Sequence, residues 1–353
     1  MNILPVTLAE KINEEAIYNV YIYLVGKQTP HENEIFRDIV YSLSKNLNDN
    51  KMAWINRDIL KLNIIKNAVS SNPNLANSRL IKLTHSDDGL TACCFIKQDS
   101  SISVIFKGTG SGEWIDNGEG LSGIPEENVY LTFNKSSDVL RKSIVFDDYA
   151  TDQQVEALNW FNTLAYENKW SYLNTIIVSG HSKGGNKAQF VAINSPLVDF
   201  CYSFDGHGFS PEAVSAFKKR YMTDFDKRIL NIFSIAAEND YVNVLGKRLM
   251  PEENIYYLNS HTGLHYMEAL LSESGKLNNQ CERGKLSAYI ESVSDEIMEM
   301  KPDLRQYATL GIMNIFQRYL GKGTPVNADS VSIDKTITGL ALTIRPLIKR
   351  FKR

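Results

Sequence analysis

Residues 175–194 have the sequence TIIVSGHSKGGNKAQFVAIN, in which an apolar run, a glycine-rich turn and a helical pattern follow one another. The turn GHSKG, residues 180–184, matches G-x-S-x-G, the pattern of a sharp strand-to-helix turn that exposes its serine. Glycines on both sides of such a serine let the strand and helix backbones approach closely. A serine near a helix cap is the structural alternative. Because strand and helix patterns flank the motif as it requires, the segment predicts Ser182 as a nucleophile that forms an acyl-enzyme.

Apolar runs and helical patterns alternate on both sides of this turn. Downstream, residues 201–204, 229–235 and 255–258 are strand-sized apolar runs. Upstream, residues 90–96 and 102–106 are β-rich runs joined by a polar connection, which predicts a hairpin. Apolar strands that alternate with helices predict a parallel sheet covered on both faces. We therefore expect a three-layer α/β-hydrolase fold with a mostly parallel central sheet.

Helical patterns continue at both ends of the chain. Apolar positions spaced by three and four residues run from about residue 6 to residue 70, and helical spacing returns from about residue 285. The turn-rich stretch that ends at residue 78 separates the first helical region from the strands. We expect a helical N-terminal extension packed on the core (1–78), an α/β-hydrolase core (79–284) and a helical C-terminal extension (285–353).

Composition and charge exclude one class of partner. The chain has 353 residues, of which 43% are hydrophobic and 22% are charged, as in ordinary globular proteins. Its 38 Lys and Arg residues against 41 Asp and Glu residues give a net charge of -3. Such a molecule has no overall field that attracts nucleic acid or an anionic membrane. We expect no nucleic-acid partner.

The first residues and the cysteines bear on location and metal binding. Acidic residues interrupt the apolar positions of the first 25 residues, which is unlike a signal peptide, and no run approaches the ~18 apolar residues of a membrane span. The four cysteines lack metal-ligand spacing, and buried reduced thiols are typical of cytosolic proteins. We expect a cytoplasmic protein with no metal site.

Three motifs together carry a resemblance to a known family. They are GHSKGGN (180–186), FKGTG (106–110) with the following EWIDN, and SFDGHGFS (203–210). In this order they resemble the bacterial lipase-like α/β-hydrolases of unassigned function, distant relatives of the class 3, fungal-type lipases, over roughly residues 80–272. The family often has arginine where Lys107 stands, and proline more often than His207. The resemblance implies a lipid or acyl ester as substrate, cleaved without a cofactor.

A base for Ser182 must follow it in the chain, because the order in this fold is serine, acid, histidine. His31 and His85 precede the serine, His181 adjoins it, and His207 comes before the expected acid strand. Two histidines remain, His261 and His265, both in SHTGLHYM (260–267). The resemblance favours His265, because the family places its histidine after a small-residue turn and before an apolar helix. His261 stays as the alternative base.

The acid that orients the histidine should end a strand between serine and histidine. Asp240 closes ILNIFSIAAEND in the position of the penultimate strand of such folds. Asp205, after the preceding strand, is the alternative acid, and its Asp-Gly pair is also typical of a plain turn. We favour Asp240, whose role would be to hold the imidazole tautomer and stabilise the imidazolium.

The oxyanion of an acyl-transfer intermediate needs two backbone donors. The amides of Lys183, after the nucleophile, and of Thr109, after an early strand, are the candidates. The macrodipole opposes a cation in the first helical turn, so we expect a solvated Lys183 side chain. Residues 108–123 form a predicted loop, in which Trp114 is a candidate wall of the substrate pocket.

Two alternative functions remain open. A hydrolase-fold protein that has lost activity would be a binding module. A membrane-surface protein would use its basic C-terminal segment, where Leu340 and Ile344 accompany Arg345 and Lys349. Pro346 interrupts that helix, so a helix docked on the body is favoured over peripheral membrane contact.

Overall fold

The computed structural model describes residues 3–49, 53–86, 89–108, 114–134, 139–171, 173–260 and 265–320. The helices in this part of the chain are α1 (Val6–Tyr21), α2 (Phe36–Asn48), α3 (Asn56–Ser71), α4 (Pro73–Ala76), α5 (Trp114–Ser122), α6 (Asp152–Glu167), α7 (Lys183–Asn194), α8 (Pro211–Tyr221), α9 (Phe225–Ile229), α10 (Lys285–Met298) and α11 (Pro302–Leu320). Short 3₁₀ helices cover Ile22–Lys27, Met222–Asp224, Glu252–Asn254 and Met267–Leu270.

The strands alternate with these helices. They are β1 (Arg79–Thr84), β2 (Ala92–Ile96), β3 (Ile102–Phe106), β4 (Glu126–Asn134), β5 (Val139–Asp148), β6 (Ile176–His181), β7 (Phe200–Phe204), β8 (Ile232–Ala237), β9 (Ile255–Leu258) and β10 (Gln280–Cys281). The predicted hairpin and the predicted downstream strands are confirmed.

One central sheet of eight strands organises the described residues, in the order β1-β2-β3-β6-β7-β8-β9-β10. Neighbours from β3 to β9 pair in parallel, whereas β1, β2 and β10 join the edges antiparallel. Val178 of β6 lies between Val104 of β3 and Cys201 of β7. The carboxyl ends of the parallel strands therefore share one edge, where such folds bind ligands. This topology is the α/β-hydrolase-like fold that the sequence predicts.

Helices cover both faces of the sheet. On one face α1, α2 and α3 bury a core that includes Ile17, Phe95 and Tyr202. On the other face α6, α7 and α8 bury a second core around Phe161 and Phe190. Successive strand residues point to opposite faces, so β1 to β3 and β6 to β9 contribute to both cores. The result is three layers, and the boundaries drawn at 78/79 and 284/285 stay a prediction.

The region after β3 differs from its prediction. Residues 114–122 form helix α5, where the sequence indicated a loop. Gly118 and Gly120 weaken the helical pattern, but α5 packs on α11, where Leu121 shares a small apolar core with Ala308, and this tertiary packing stabilises the helix. The following two-stranded sheet of β4 and β5 was not predicted. It is held to α6 through Asn159, whose amide donates to the Val129 carbonyl at 3.0 Å.

Within the described ranges, no helix combines the length and the apolar composition that crossing a bilayer requires. The basic C-terminal segment considered above as a membrane contact lies outside the described residues. Its two preceding helices, α10 and α11, follow the predicted helical pattern.

Candidate active site

Ser182 occupies a strained turn between β6 and α7. Its backbone has φ 61° and ψ -127°, in the left-handed region that residues with a side chain rarely adopt. The surroundings hold this conformation, because the Ser182 amide donates to the Phe204 carbonyl at 2.8 Å and its carbonyl accepts from the Gly185 amide at 2.9 Å. Strain of this kind persists only where neighbouring structure enforces it, as at functional sites.

The glycines of the turn are required by close backbone contacts. A Cβ on Gly184 would collide with the backbone of Phe106 and Lys107 at the end of β3. A Cβ on Gly185 would lie 2.6 Å from the Ser203 hydroxyl and 2.9 Å from the Gly206 Cα. The helix therefore starts in direct contact with two neighbouring strand ends, as the motif predicts.

Asp240 and His265 form a hydrogen-bonded pair. The His265 Nδ1 lies 2.5 Å from Asp240 Oδ2. The other carboxyl oxygen, Oδ1, accepts from the amides of Val242 and Asn243, at 2.8 Å each. Both oxygens are thus engaged, which fixes the direction of the carboxyl group. When Nδ1 donates to Asp240, the lone pair of the imidazole is on Nε2, and His265 Nε2 has no hydrogen-bond partner among the described residues.

The His265 ring lies against the strand that carries Ser182. It stacks on His181, with 4.7 Å between ring centroids and 28° between ring planes. Tyr241 contacts the His265 ring at a centroid distance of 5.7 Å. Since His181 immediately precedes Ser182, the structure brings His265, Asp240 and the serine turn to the same edge of the sheet. His261, the alternative base, lies outside the described residues.

Asp205, the alternative acid, has a different environment. It is 1% exposed, and its Oδ1 accepts from the Ala237 amide at 2.8 Å. Its Oδ2 lies 3.8 Å from His181 Nε2, which is too long for a hydrogen bond. Burial, and then the nearby Asp240, raise the pKa of Asp205 well above its usual range. The hydrogen bond to His265 Nδ1 comes from Asp240, so the geometry favours Asp240 as the acid.

Three of these groups have a spacing that a cation can use. Ligand atoms of His181, Asp205 and His265 lie within 4.8 Å of one another. A metal ligand must be deprotonated, however, and the raised pKa of Asp205 opposes that form. Asp240 occupies Nδ1 of His265, so a cation would have to bind this imidazole through Nε2. The raised pKa of Asp205 is the observation against a metal site here.

The Lys183 amide and Gly108, which begins the loop with the second expected oxyanion donor, both lie beside Ser182. The Lys183 amide begins α7, and the first amides of a helix lack acceptors within it. Thr109 lies outside the described residues, but the preceding Gly108 is described. A Cβ on Gly108 would lie 2.7 Å from the His181 carbonyl oxygen and 3.1 Å from the Ser182 Cβ. The loop that contains Thr109 therefore begins directly beside the serine.

The side chain of Lys183 is buried, so the expectation of a solvated lysine was wrong. It is 0% exposed and forms an ion pair with Asp116 of α5. Thr151 joins the pair: its hydroxyl donates to Asp116 at 2.9 Å and lies 3.5 Å from the lysine amine. A buried charge requires such partners, and the carboxylate comes from the helix that the sequence did not predict. The pair ties α5 to the serine turn. The side chain of Trp114, the candidate pocket wall, lies outside the part of the chain that the structure describes.

His207 is a buried structural histidine. Its Nδ1 donates to the Gly208 carbonyl at 2.8 Å, and its Nε2 lies 3.2 Å from Asn117 Oδ1. Burial, and then the nearby Lys183, lower the pKa of His207 to about 3. This histidine stays neutral, in agreement with its exclusion as the base.

The sequence analysis missed one residue at this site, Tyr23. It belongs to the 3₁₀ helix Ile22–Lys27, and its hydroxyl lies 2.8 Å from His181 Nδ1. The two rings meet edge to face at 5.7 Å. No motif marks this tyrosine, but Glu15, Asn19 and Tyr23 recur every four residues in an otherwise apolar helical pattern. That spacing is the signal that was available.

A match to one family model agrees with a lipase-like relationship. Residues 146–236 match the family model described as Mbeg1-like, a lipase-like family. The match includes the Ser182 turn and ends before Asp240 and His265. The chain is also similar to a solved structure titled "Crystal structure of M37 lipase", with 12% identity over 65% of this chain and 69% of that chain and a TM-score of 0.31. No curated protein matches the chain significantly.

Proposed function

We propose that this protein is a serine hydrolase that cleaves a carboxylic ester through an acyl-enzyme on Ser182. The observation that carries the proposal is the arrangement at the end of β6. Ser182 is held at φ 61°, and its neighbour His181 stacks on a histidine that Asp240 orients. A strained serine, an oriented imidazole and a buried carboxyl group are the parts of a Ser-His-Asp triad.

In the first half of the reaction, the Ser182 hydroxyl oxygen attacks the ester carbonyl carbon. His265 Nε2 takes the hydroxyl proton, and Asp240 stabilises the resulting imidazolium. The amides of Lys183 and Thr109 donate to the oxygen that becomes negative. One such donor typically lowers the activation barrier by about 3 kcal/mol. The tetrahedral intermediate then expels the alcohol, which receives its proton from His265.

In the second half, water releases the acyl group. His265 takes a proton from the water, whose oxygen attacks the acyl carbonyl. Collapse of the second intermediate frees the carboxylic acid, and the proton returns to the Ser182 oxygen. Each proton that His265 accepts is given back within the same half-reaction, so the cycle needs no cofactor.

The proposal extends to substrate and location. A lipid or acyl ester is the substrate class, with Trp114 as one wall of its pocket. Cytoplasmic action is supported by the free cysteines Cys93, Cys94, Cys201 and Cys281, since unpaired thiols are typical of reducing compartments.

The experiment that tests the proposal is labelling with a fluorophosphonate, which reacts with activated serines. We expect the folded wild type to take up one equivalent, and mass spectrometry of the digest to find it on the peptide that contains Ser182. Heat-denatured protein is the control, because labelling requires the assembled triad. Absence of an adduct, or an adduct on another serine, would reject the mechanism and favour a hydrolase-fold binding module.

The roles of the two aspartates give a further prediction. Asp240→Asn should lower kcat for a p-nitrophenyl ester by about 10⁴-fold, because the amide no longer holds the productive imidazole tautomer. Asp205→Asn is the matched control, because it keeps the size of a side chain as buried as that of Asp240, whereas the hydrogen bond to His265 comes from Asp240. The fall in kcat for Asp205→Asn should be at least about a hundredfold smaller than the fall for Asp240→Asn. A larger loss of kcat in Asp205→Asn than in Asp240→Asn would show that Asp205, and not Asp240, is the acid.

A further inference from the structure

A stripe of polar side chains on α1 follows strand β6 toward Ser182. Glu15 Oε2 accepts from the Ser179 hydroxyl at 2.9 Å. Asn19, one turn later, donates its amide to the same hydroxyl oxygen at 2.9 Å. Both side chains are 0% exposed, although most of the surrounding face is apolar. Residues four apart lie on the same helix face, so the stripe points along the helix toward Tyr23.

The carboxylate of Glu15 has a cationic partner inside the protein. Lys97, at the end of the β2–β3 hairpin, lies 3.0 Å from Glu15 Oε1. Ser103 of β3 donates its hydroxyl to the same carboxylate oxygen. A buried charge is tolerated only when such partners are in place. The network therefore sets the position of α1 along β3 and β6, the strands that end at Gly108 and Ser182, more strictly than apolar packing would.

Tyr23 lies at the end of this stripe, between the strand ends. Its hydroxyl bonds His181 Nδ1 at 2.8 Å and also contacts the position that a Cβ on Gly108 would occupy. The Ser182 Cβ lies 3.1 Å from that same position. The amines of Lys61 and Lys107 lie over the Tyr23 ring, at 5.8 and 5.9 Å from its centroid. The ring is thus held on several sides, with its hydroxyl beside the serine turn.

His181 links Tyr23 to His265. Burial, and then His265, Arg57 and Lys61, lower the pKa of His181 well below its usual range. The neutral ring has a hydrogen bond to Tyr23 through Nδ1, whereas Nε2 has no partner in the described part of the chain. The face of this ring stacks on His265. The hydrogen bond from Tyr23 therefore determines the plane against which the His265 ring packs.

We propose that Tyr23 is a positioning residue of the active site. Its hydroxyl holds the His181 ring, and that ring supports His265. The same hydroxyl borders Gly108, where the loop that contains Thr109 begins. The helical segment before the α/β core thereby completes the site instead of only covering the sheet. This inference rests on the proposed function, because it assigns Tyr23 a role in the same reaction.

The test is Tyr23→Phe, which keeps the ring and removes the hydroxyl. Displacement of a reacting group by about 1 Å can cost about 10²-fold in rate, and a single support acting through another ring should cost less. We expect kcat for a p-nitrophenyl ester to fall about tenfold, with KM unchanged. The rate of fluorophosphonate labelling should fall by the same factor, because it needs the same base and oxyanion donors.

The matched control is Tyr21→Phe. Tyr21 lies two residues earlier, is 1% exposed, and its hydroxyl has no partner among the described residues. Its ring packs on Phe36 and Phe95, away from the serine turn. We expect wild-type kcat and labelling rate. Both variants are assayed well below their melting temperatures, so that the folded fraction is equal.

A second variant separates the hydrogen bond from packing. In His181→Phe the aromatic ring is kept but the acceptor Nδ1 is lost, so adding Tyr23→Phe to it should cost no further activity. An additive loss in the double variant, or a Tyr23→Phe enzyme with wild-type kcat, would overturn the role of Tyr23. An effect on KM alone would overturn it as well. If the wild type itself is not labelled, the proposed function fails, which is a distinguishable result.

Discussion

Ser182→Ala is expected to abolish fluorophosphonate labelling and to lower kcat for a p-nitrophenyl ester by about 10⁶-fold. The hydroxyl oxygen forms the bond to the acyl group, so without it the acyl-enzyme does not form. The residual rate is that of water attack aided by the oxyanion donors. Stability should not decrease, because the smaller side chain removes no packing contact of the apolar cores and leaves the strained backbone in place.

Ser195→Ala is the control for this variant. Ser195 is the C-terminal cap of α7, at the end of the helix opposite to Ser182. Like the residues of the turn it is buried, with 3% exposure. Labelling and turnover should equal those of the wild type. Persistent labelling of Ser182→Ala at the wild-type rate would remove Ser182 as the nucleophile, whatever the turnover.

His265→Ala should have the second large effect, a loss in kcat of about 10⁶-fold. The imidazole is the group that removes the serine proton, and the rest of the triad cannot replace it. Labelling should slow in parallel, because the fluorophosphonate reacts with the same activated hydroxyl. The melting temperature reports whether loss of the stacking contacts with His181 and Tyr241 affects stability separately.

The comparison variant is His261→Ala, in the same segment. The Asp240–His265 hydrogen bond leads us to expect near-wild-type turnover from His261→Ala. The opposite pattern, an inactive His261→Ala and an active His265→Ala, would transfer the role of base to His261. Circular dichroism of both variants tests whether a loss of turnover comes from lost chemistry or from a lost fold.

Local sequence was sufficient to predict the central sheet and the serine turn. The G-x-S-x-G turn encodes its strain in adjacent residues, because Gly180 and Gly184 provide the close approach that the turn needs. The strand and helix periods around it are equally local. Chain order then reduced the histidines to two and pointed to Asp240, because the topology of a doubly covered sheet restricts where an acid and a base can come together.

Other features depended on contacts between distant parts of the chain. Helix α5 has a weak local pattern and is stabilised by packing on α11, and its Asp116 reverses the expected exposure of Lys183. The raised pKa of Asp205 follows from burial and from the nearby Asp240, neither of which local spacing reveals.

The sequence by itself determined the sheet, the serine turn and the short set of candidate acids and bases, because these follow from local periodicity and chain order. Only the tertiary structure decided that Asp240 bonds His265, that Lys183 is buried, and that Tyr23 lies beside the serine turn. The physical reason is that side-chain partnership depends on the register in which helices pack on the sheet. That register is set by buried contacts such as Glu15 with Ser179, which join residues far apart in the chain.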